Sequence, residues 1–115
     1  MAVIEIWHNP RCSKSRQTLT LLEERGIAPK VRRYLEEAPD EAELRAVLTA
    51  LGMTASALIR NKESTYRELG LGKESDEATL LAAMAAHPIL IERPIVFAGD
   101  KAAIGRPPEA VLDIL

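Results

Sequence analysis

"VIEIWHNPRCSKSRQTLTLLEERGIAPKVRRYL", residues 3–35, is the stretch on which the fold turns. Val3 to Trp7 are β-rich and alternate in polarity, which predicts a strand. Pro10 stops that strand, and Asn9, standing before a proline, is pushed towards extended backbone. From Ser13 the pattern becomes helical: Leu19, Leu21 and Leu22 make an apolar stripe that Gly26 and Pro29 bring to an end. "KVRRYL" (30–35) then reads as a second strand. Strand, helix and strand in succession form a βαβ unit, which favours a parallel pair with a right-handed crossover. Trp7 is expected in the core.

Beyond that unit, Asp40 and Glu43 are spaced as a capping pair for a helix over 41–51, where Leu44, Val47, Leu48 and Leu51 recur at helical spacing before Gly52. "TASALIRNK" (54–62) predicts a short helical turn and "STYRELGLGKES" (64–75) an irregular connector. Ser75 is placed to cap a helix over 76–86 that His87-Pro88 stops. "ILIERPIVF" (89–97) is strand-like but broken by Pro94. The turn residues Ala98-Gly99-Asp100 make "RPIVF" and "KAAI" (101–104) a hairpin. "RPPEAVLDIL" has proline where a last helix starts. The expected fold class is α/β, a small mixed four-stranded sheet with a helical insertion at about 40–86, in one domain over 1–115.

Composition narrows the function classes. In 115 residues, 47% hydrophobic and 28% charged content is a globular profile, not a disordered one. A net charge of −2 and a pI near 5.7 leave no basic stripe for nucleic acid. No apolar run approaches the roughly 20 residues of a membrane span, and "MAVIEIWHNP" lacks the features of a signal peptide. One cysteine cannot close an internal disulfide, and a lone thiol fits the reducing cytoplasm. No phosphate-binding glycine loop and no Cys/His cluster with metal-ligand spacing occurs, so neither a metal nor a bound cofactor is expected.

The chemistry therefore centres on Cys12. A cysteine at a helix N-terminus faces unpaired backbone N–H groups and the positive end of the helix dipole. Ser15, three residues on, is in reach to point a hydroxyl at the sulfur, and His8, Arg11, Lys14 and Arg16 surround it with basic groups. A free thiol titrates near ~8.5, whereas such surroundings bring cysteines to roughly 3.5–7.5, and only the thiolate attacks. Lys14 and Arg16, on a helix start, read as solvated charges. Arg93 and Arg106 each precede a proline, which stiffens the backbone they project from, and Arg60 ends a short helix. Guanidinium forks suit tetrahedral oxyanions, although spacing alone does not bring these three together.

Four blocks, "HNPRCSKSR", "LIRNKE", "HPILIERPIV" and "GRPPEAVLDIL", make the chain resemble the glutaredoxin-coupled, ArsC-type arsenate reductases, and more closely a short branch of them. The resemblance covers essentially the whole chain. It implies a thioredoxin-like fold with a helical insertion and a nucleophile matching Cys12. It further implies thiolate-supporting residues matching His8 and Ser15, oxyanion-binding arginines matching Arg60, Arg93 and Arg106, and a cis-proline at Pro94. The implied activity is reduction of arsenate to arsenite through a Cys12–arsenate adduct. Glutathione, as co-substrate, and glutaredoxin resolve that adduct, because a one-cysteine chain must borrow its second thiol.

Two departures stand out: Ser13 and Lys14 occupy positions that are smaller or uncharged in well-known members, and those members continue past the counterpart of "VLDIL". Two other readings compete. One is an Spx-type regulator binding RNA polymerase, against which Ser15 stands in place of the second cysteine of a C-x-x-C switch. The other is a glutathione-linked thiol oxidoreductase with another substrate.

Overall fold

Alternation along Ile4–Trp7 produces strand β1, and the helical stripe that follows produces α1 over Ser13–Glu24, in a computed structural model that describes residues 3–115. Next come β2 (Lys30–Arg32), α2 (Glu41–Leu51), α3 (Ala55–Leu58), α4 (Ser64–Glu68), α5 (Glu77–Ala86), a 3₁₀ turn (Pro88–Leu90), β3 (Ile95–Ala98), β4 (Lys101–Ile104) and a 3₁₀ helix (Pro108–Ile114). The chain divides into two compact units: residues up to Glu37 with Arg93–Leu115, and Ala38–Glu92.

The first unit carries the sheet, in the order β2-β1-β3-β4. β1 runs parallel to β2 and antiparallel to β3, and β3 is antiparallel to β4. This is the small mixed four-stranded sheet that the sequence pattern predicts. Ile6 pairs with Val96 across the strands. Both are fully buried, with Leu22 of α1 and Val111 of the C-terminal 3₁₀ helix packed in the same cluster. Burying each of these side chains contributes roughly 1.5–3 kcal/mol. Trp7, one residue on, points to the opposite face. Its ring lies 5.2 Å from Phe97 and 6.4 Å from Tyr34, with the Arg32 guanidinium 5.1 Å away over it. Trp7 is buried, as expected.

In the second unit the Asp40–Glu43 capping box forms in both directions, and Gly52 closes α2 in the left-handed conformation at φ 68°. Leu44, Val47, Leu80, Leu81 and Met84 form the buried faces of α2 and α5, which pack together.

Several elements differ from the sequence expectation. β2 ends at Arg32 and not at residue 35, because the chain turns there and the Arg33 carbonyl accepts from Glu36 N–H and Glu37 N–H. α5 is capped by Asp76, which accepts from Thr79 N–H at 2.7 Å, while the Ser75 hydroxyl accepts from Gly72 N–H inside the preceding loop. The turn at 54–62 is helical only to Leu58. Ile59 then bridges to Ile91, and Arg60 N–H donates to the Leu90 carbonyl, so the backbone there is already extended. The 64–75 connector contains the one-turn helix α4. The last helix is 3₁₀, not α. Its three-residue period stacks Pro108, Val111 and Ile114 on one face, the first two of them buried and Val111 and Ile114 packed with the core cluster.

Candidate active site

Cys12 is the residue that caps α1, with extended backbone at φ −93° and ψ 124°. Its amide donates to the Asn9 carbonyl at 3.0 Å, and its own carbonyl accepts from Arg16 N–H. The loop before it is held by Asn9, whose side-chain oxygen accepts from Arg11 N–H at 3.0 Å. Arg16 donates from its guanidinium to the Pro10 carbonyl. Sulfur thus takes the place at which helices usually carry a serine or aspartate oxygen. No cap hydrogen bond is closed on it, yet the amides of the first turn act on its charge.

Partial burial opposes ionisation of Cys12 and is the largest single influence on it. Against it work the Ser15 N–H, the Arg93 guanidinium as hydrogen-bond donor, the Lys14 N–H and the Arg93 charge; together they prevail, and the thiol pKa is lowered. Arg106 reaches the same sulfur, with Nη2 3.6 Å from Sγ, while its Nε donates to the Arg93 carbonyl at 2.8 Å. Two of the three sequence-selected arginines therefore meet at Cys12. Each precedes a cis proline, Pro94 and Pro107 respectively; the second of these had no counterpart in the sequence reading.

His8 and Ser15 are arranged differently from the expectation, their side chains paired with each other and not turned to the sulfur. The Ser15 hydroxyl is fully buried, lies 2.6 Å from His8 Nδ1 and accepts from Asn9 N–H at 3.0 Å. Ser15 acts on the thiolate through its backbone N–H. Burial, then the Arg33 and Arg16 charges, lower the His8 pKa, so the ring is neutral near pH 7 and orders the loop instead of adding positive charge.

A sulfur at a helix start with two guanidiniums against it, on a β-α-β/β-β sheet, is an arrangement with known relatives. The ArsC family model matches residues 7–114. The chain belongs to the ArsC family. An Escherichia coli (strain K12) protein, YfgD, is 54% identical over 97% of this chain and 96% of its own length. "Arsenate reductase" of Neisseria meningitidis serogroup B is 51% identical over the whole of both chains. Among solved structures, "Arsenate reductase from Vibrio cholerae" superposes with a TM-score of 0.95 at 51% identity, over 99% of this chain and 98% of that one. The ArsC fold here is the thioredoxin-like one.

Within this ArsC chain Arg60 belongs to the Ala38–Glu92 unit. There its Nη1 lies 2.7 Å from Glu92 and its Nε 3.0 Å from Glu63. Two residues that shape the site escaped the sequence reading. Along the chain Asn9 stands out only as the residue before a proline, although Asn-Pro is a loop-organising signal. Gly105 is buried, donates its N–H to the Pro94 carbonyl, and lies so close that a Cβ would come within 2.5 Å of Thr18 Oγ1 and 2.8 Å of Pro94 Cγ. Its signal was the position itself, between a strand end and an arginine before a proline. Among the described residues no His, Cys, Asp and Glu side chains group as a metal site would need.

Proposed function

We propose that this chain reduces arsenate to arsenite, with Cys12 as nucleophile and Arg93 and Arg106 binding the oxyanion. The observation that carries the reading is the Cys12 thiol of lowered pKa with the Arg106 guanidinium 3.6 Å from its sulfur. Relatives named arsenate reductase, 51% and 48% identical over the whole of both chains, support the choice of anion. In this reading the Cys12 thiolate attacks arsenic, an S–As bond forms and one water leaves, the arginines spreading the charge on the remaining oxygens. The glutathione thiol adds to arsenic with loss of a second water. A glutaredoxin thiol then attacks the glutathione sulfur: a mixed disulfide forms, the S–As bond to glutathione breaks, and its electron pair reduces As(V) to As(III). Water hydrolyses the remaining Cys12–As bond, releasing arsenite and restoring the thiol. Two external thiols supply the two electrons, which is why a single cysteine suffices. A glutathione-rich compartment such as the cytoplasm fits this requirement, and His8 and Ser15 hold the loop that presents the thiolate.

The test is a coupled assay with arsenate, glutathione and glutaredoxin. Wild type turns over, Cys12→Ser does not, and Arg93→Ala and Arg106→Ala each raise the KM for arsenate by about tenfold or more. Arg60→Lys keeps the charge but loses the bidentate fork, and so reports whether that third arginine also binds the anion. Undiminished turnover in Cys12→Ser, or unchanged arsenate affinity in both proline-preceding arginine variants, overturns the assignment. RNA polymerase capture without turnover would instead favour the regulator reading.

A further inference from the structure

Next to the loop that presents Cys12, in the same unit, lies a cavity of about 240 Å³, with His8, Arg11, Arg33, Leu35 and Glu36 in its wall. Arg11 and Arg33 are exposed. Their guanidiniums make no hydrogen bond or ion pair with the described residues, in contrast to Arg16, Arg60 and Arg106, whose side chains are engaged. Arg33 is close enough to His8 for its charge to help lower the histidine pKa, which places that charge at the foot of the catalytic loop. Glu36 stands in the same wall, held near Arg33 by its N–H donating to the Arg33 carbonyl at 2.9 Å. Leu35, 38% exposed, adds an apolar patch.

Two uncommitted guanidiniums, one carboxylate and an apolar side chain form a zwitterion-binding set, and they border the one loop from which the reactive sulfur projects. The reaction requires a thiol from outside the chain to come to that sulfur. We propose that this cavity binds the carboxylate- and ammonium-bearing arm of a small peptide thiol, with Arg33 and Arg11 on the carboxylate and Glu36 on the ammonium. The volume lies below the roughly 300 Å³ at which whole-ligand pockets begin, which suits one arm of such a molecule while its thiol stays at the mouth near Cys12. Charge-assisted contacts of this kind supply specificity for the co-substrate without touching the arsenate site.

The proposal rests on the reading of Cys12 as a nucleophile resolved by an external thiol, but its test does not need turnover. S-methylglutathione has both carboxylates and the ammonium of glutathione but no thiol to react. Its binding is followed by amide chemical-shift titration without arsenate, at pH 7.5, above the lowered His8 pKa. Wild type is expected to show saturable shifts in residues 8–11 and 33–36. Arg33→Ala weakens binding about tenfold, Arg11→Ala and Glu36→Gln weaken it less, and the diethyl ester binds wild type as weakly as the acid binds Arg33→Ala. All three positions are on the surface, so the variants keep the wild-type spectrum elsewhere. Equal affinity for acid and ester, affinity indifferent to Arg33 and Arg11, or shifts confined to other residues would overturn the subsite. If the chain binds the probe here but fails to reduce arsenate, the arsenate reading falls and the subsite stands; if it turns over glutathione and arsenate while indifferent to Arg33, the reverse holds.

Discussion

At Cys12, opposite influences compete over one proton. Burial raises the thiol pKa; two backbone amides and the Arg93 guanidinium lower it and win. The expected consequence is a nucleophile that is ionised at lower pH than a free cysteine. Iodoacetamide alkylation of Cys12 should therefore rise with pH through a midpoint below the ordinary thiol value, and Arg93→Ala should move that midpoint upward. A wild-type midpoint at or above the free-thiol value removes the basis for attack on arsenic. The cysteine, its helix-start position and the two arginines before proline were all legible in the sequence, because local chemistry marks them. The task of the Ser15 hydroxyl was not. Residue spacing permits it to face either the sulfur or His8, and packing chooses His8, at 2.6 Å.

Among the elements, β4 and the 3₁₀ helix after it matter most for the site, because the link between them carries Arg106. Gly105 lets that link lie against Thr18 and Pro94, at distances where a methyl group would collide. Thr18 has little room to yield: it is fully buried, and its hydroxyl donates to the Lys14 carbonyl at 2.8 Å. Gly105→Ala should therefore cost about 1–3 kcal/mol of stability through overpacking. It should also shift Arg106 away from the sulfur, seen as weaker arsenate binding at unchanged Arg93. Wild-type denaturation and wild-type affinity in this variant would show that the link has slack. Helix α2 was readable to its ends from Asp40, Glu43 and Gly52, since capping is local. The early end of β2 and the 3₁₀ form of the last helix were not, since neighbours outside each segment decide them.

For the whole molecule, the pH dependence of stability carries the signature of His8. Its pKa in the folded chain lies below the ordinary 6.5, so the folded state binds this proton less readily than the unfolded state does. The stability that neutral His8 contributes is complete above 6.5 and is lost as pH falls from there through the folded-state pKa. Cys12 has the same sign, its contribution fading as pH falls from the ordinary thiol value through its own lowered pKa. The urea midpoint should thus decline as pH falls below 6.5, and His8→Asn should flatten that decline while lowering stability at pH 7. An unaltered slope in His8→Asn would show that the histidine is not held neutral by the fold.

By itself, the sequence determined the alternation of β1, the capped helices, the hairpin and a reactive thiol at a helix start, because each depends on residues within a few positions of one another. Only the tertiary structure decided that Arg93 and Arg106 meet at that thiol from eighty or more residues away, that Ser15 turns to His8, and that Arg11, Arg33 and Glu36 share one wall. Those outcomes depend on which strands pair and how closely they pack, and no spacing along the chain encodes a distance across it.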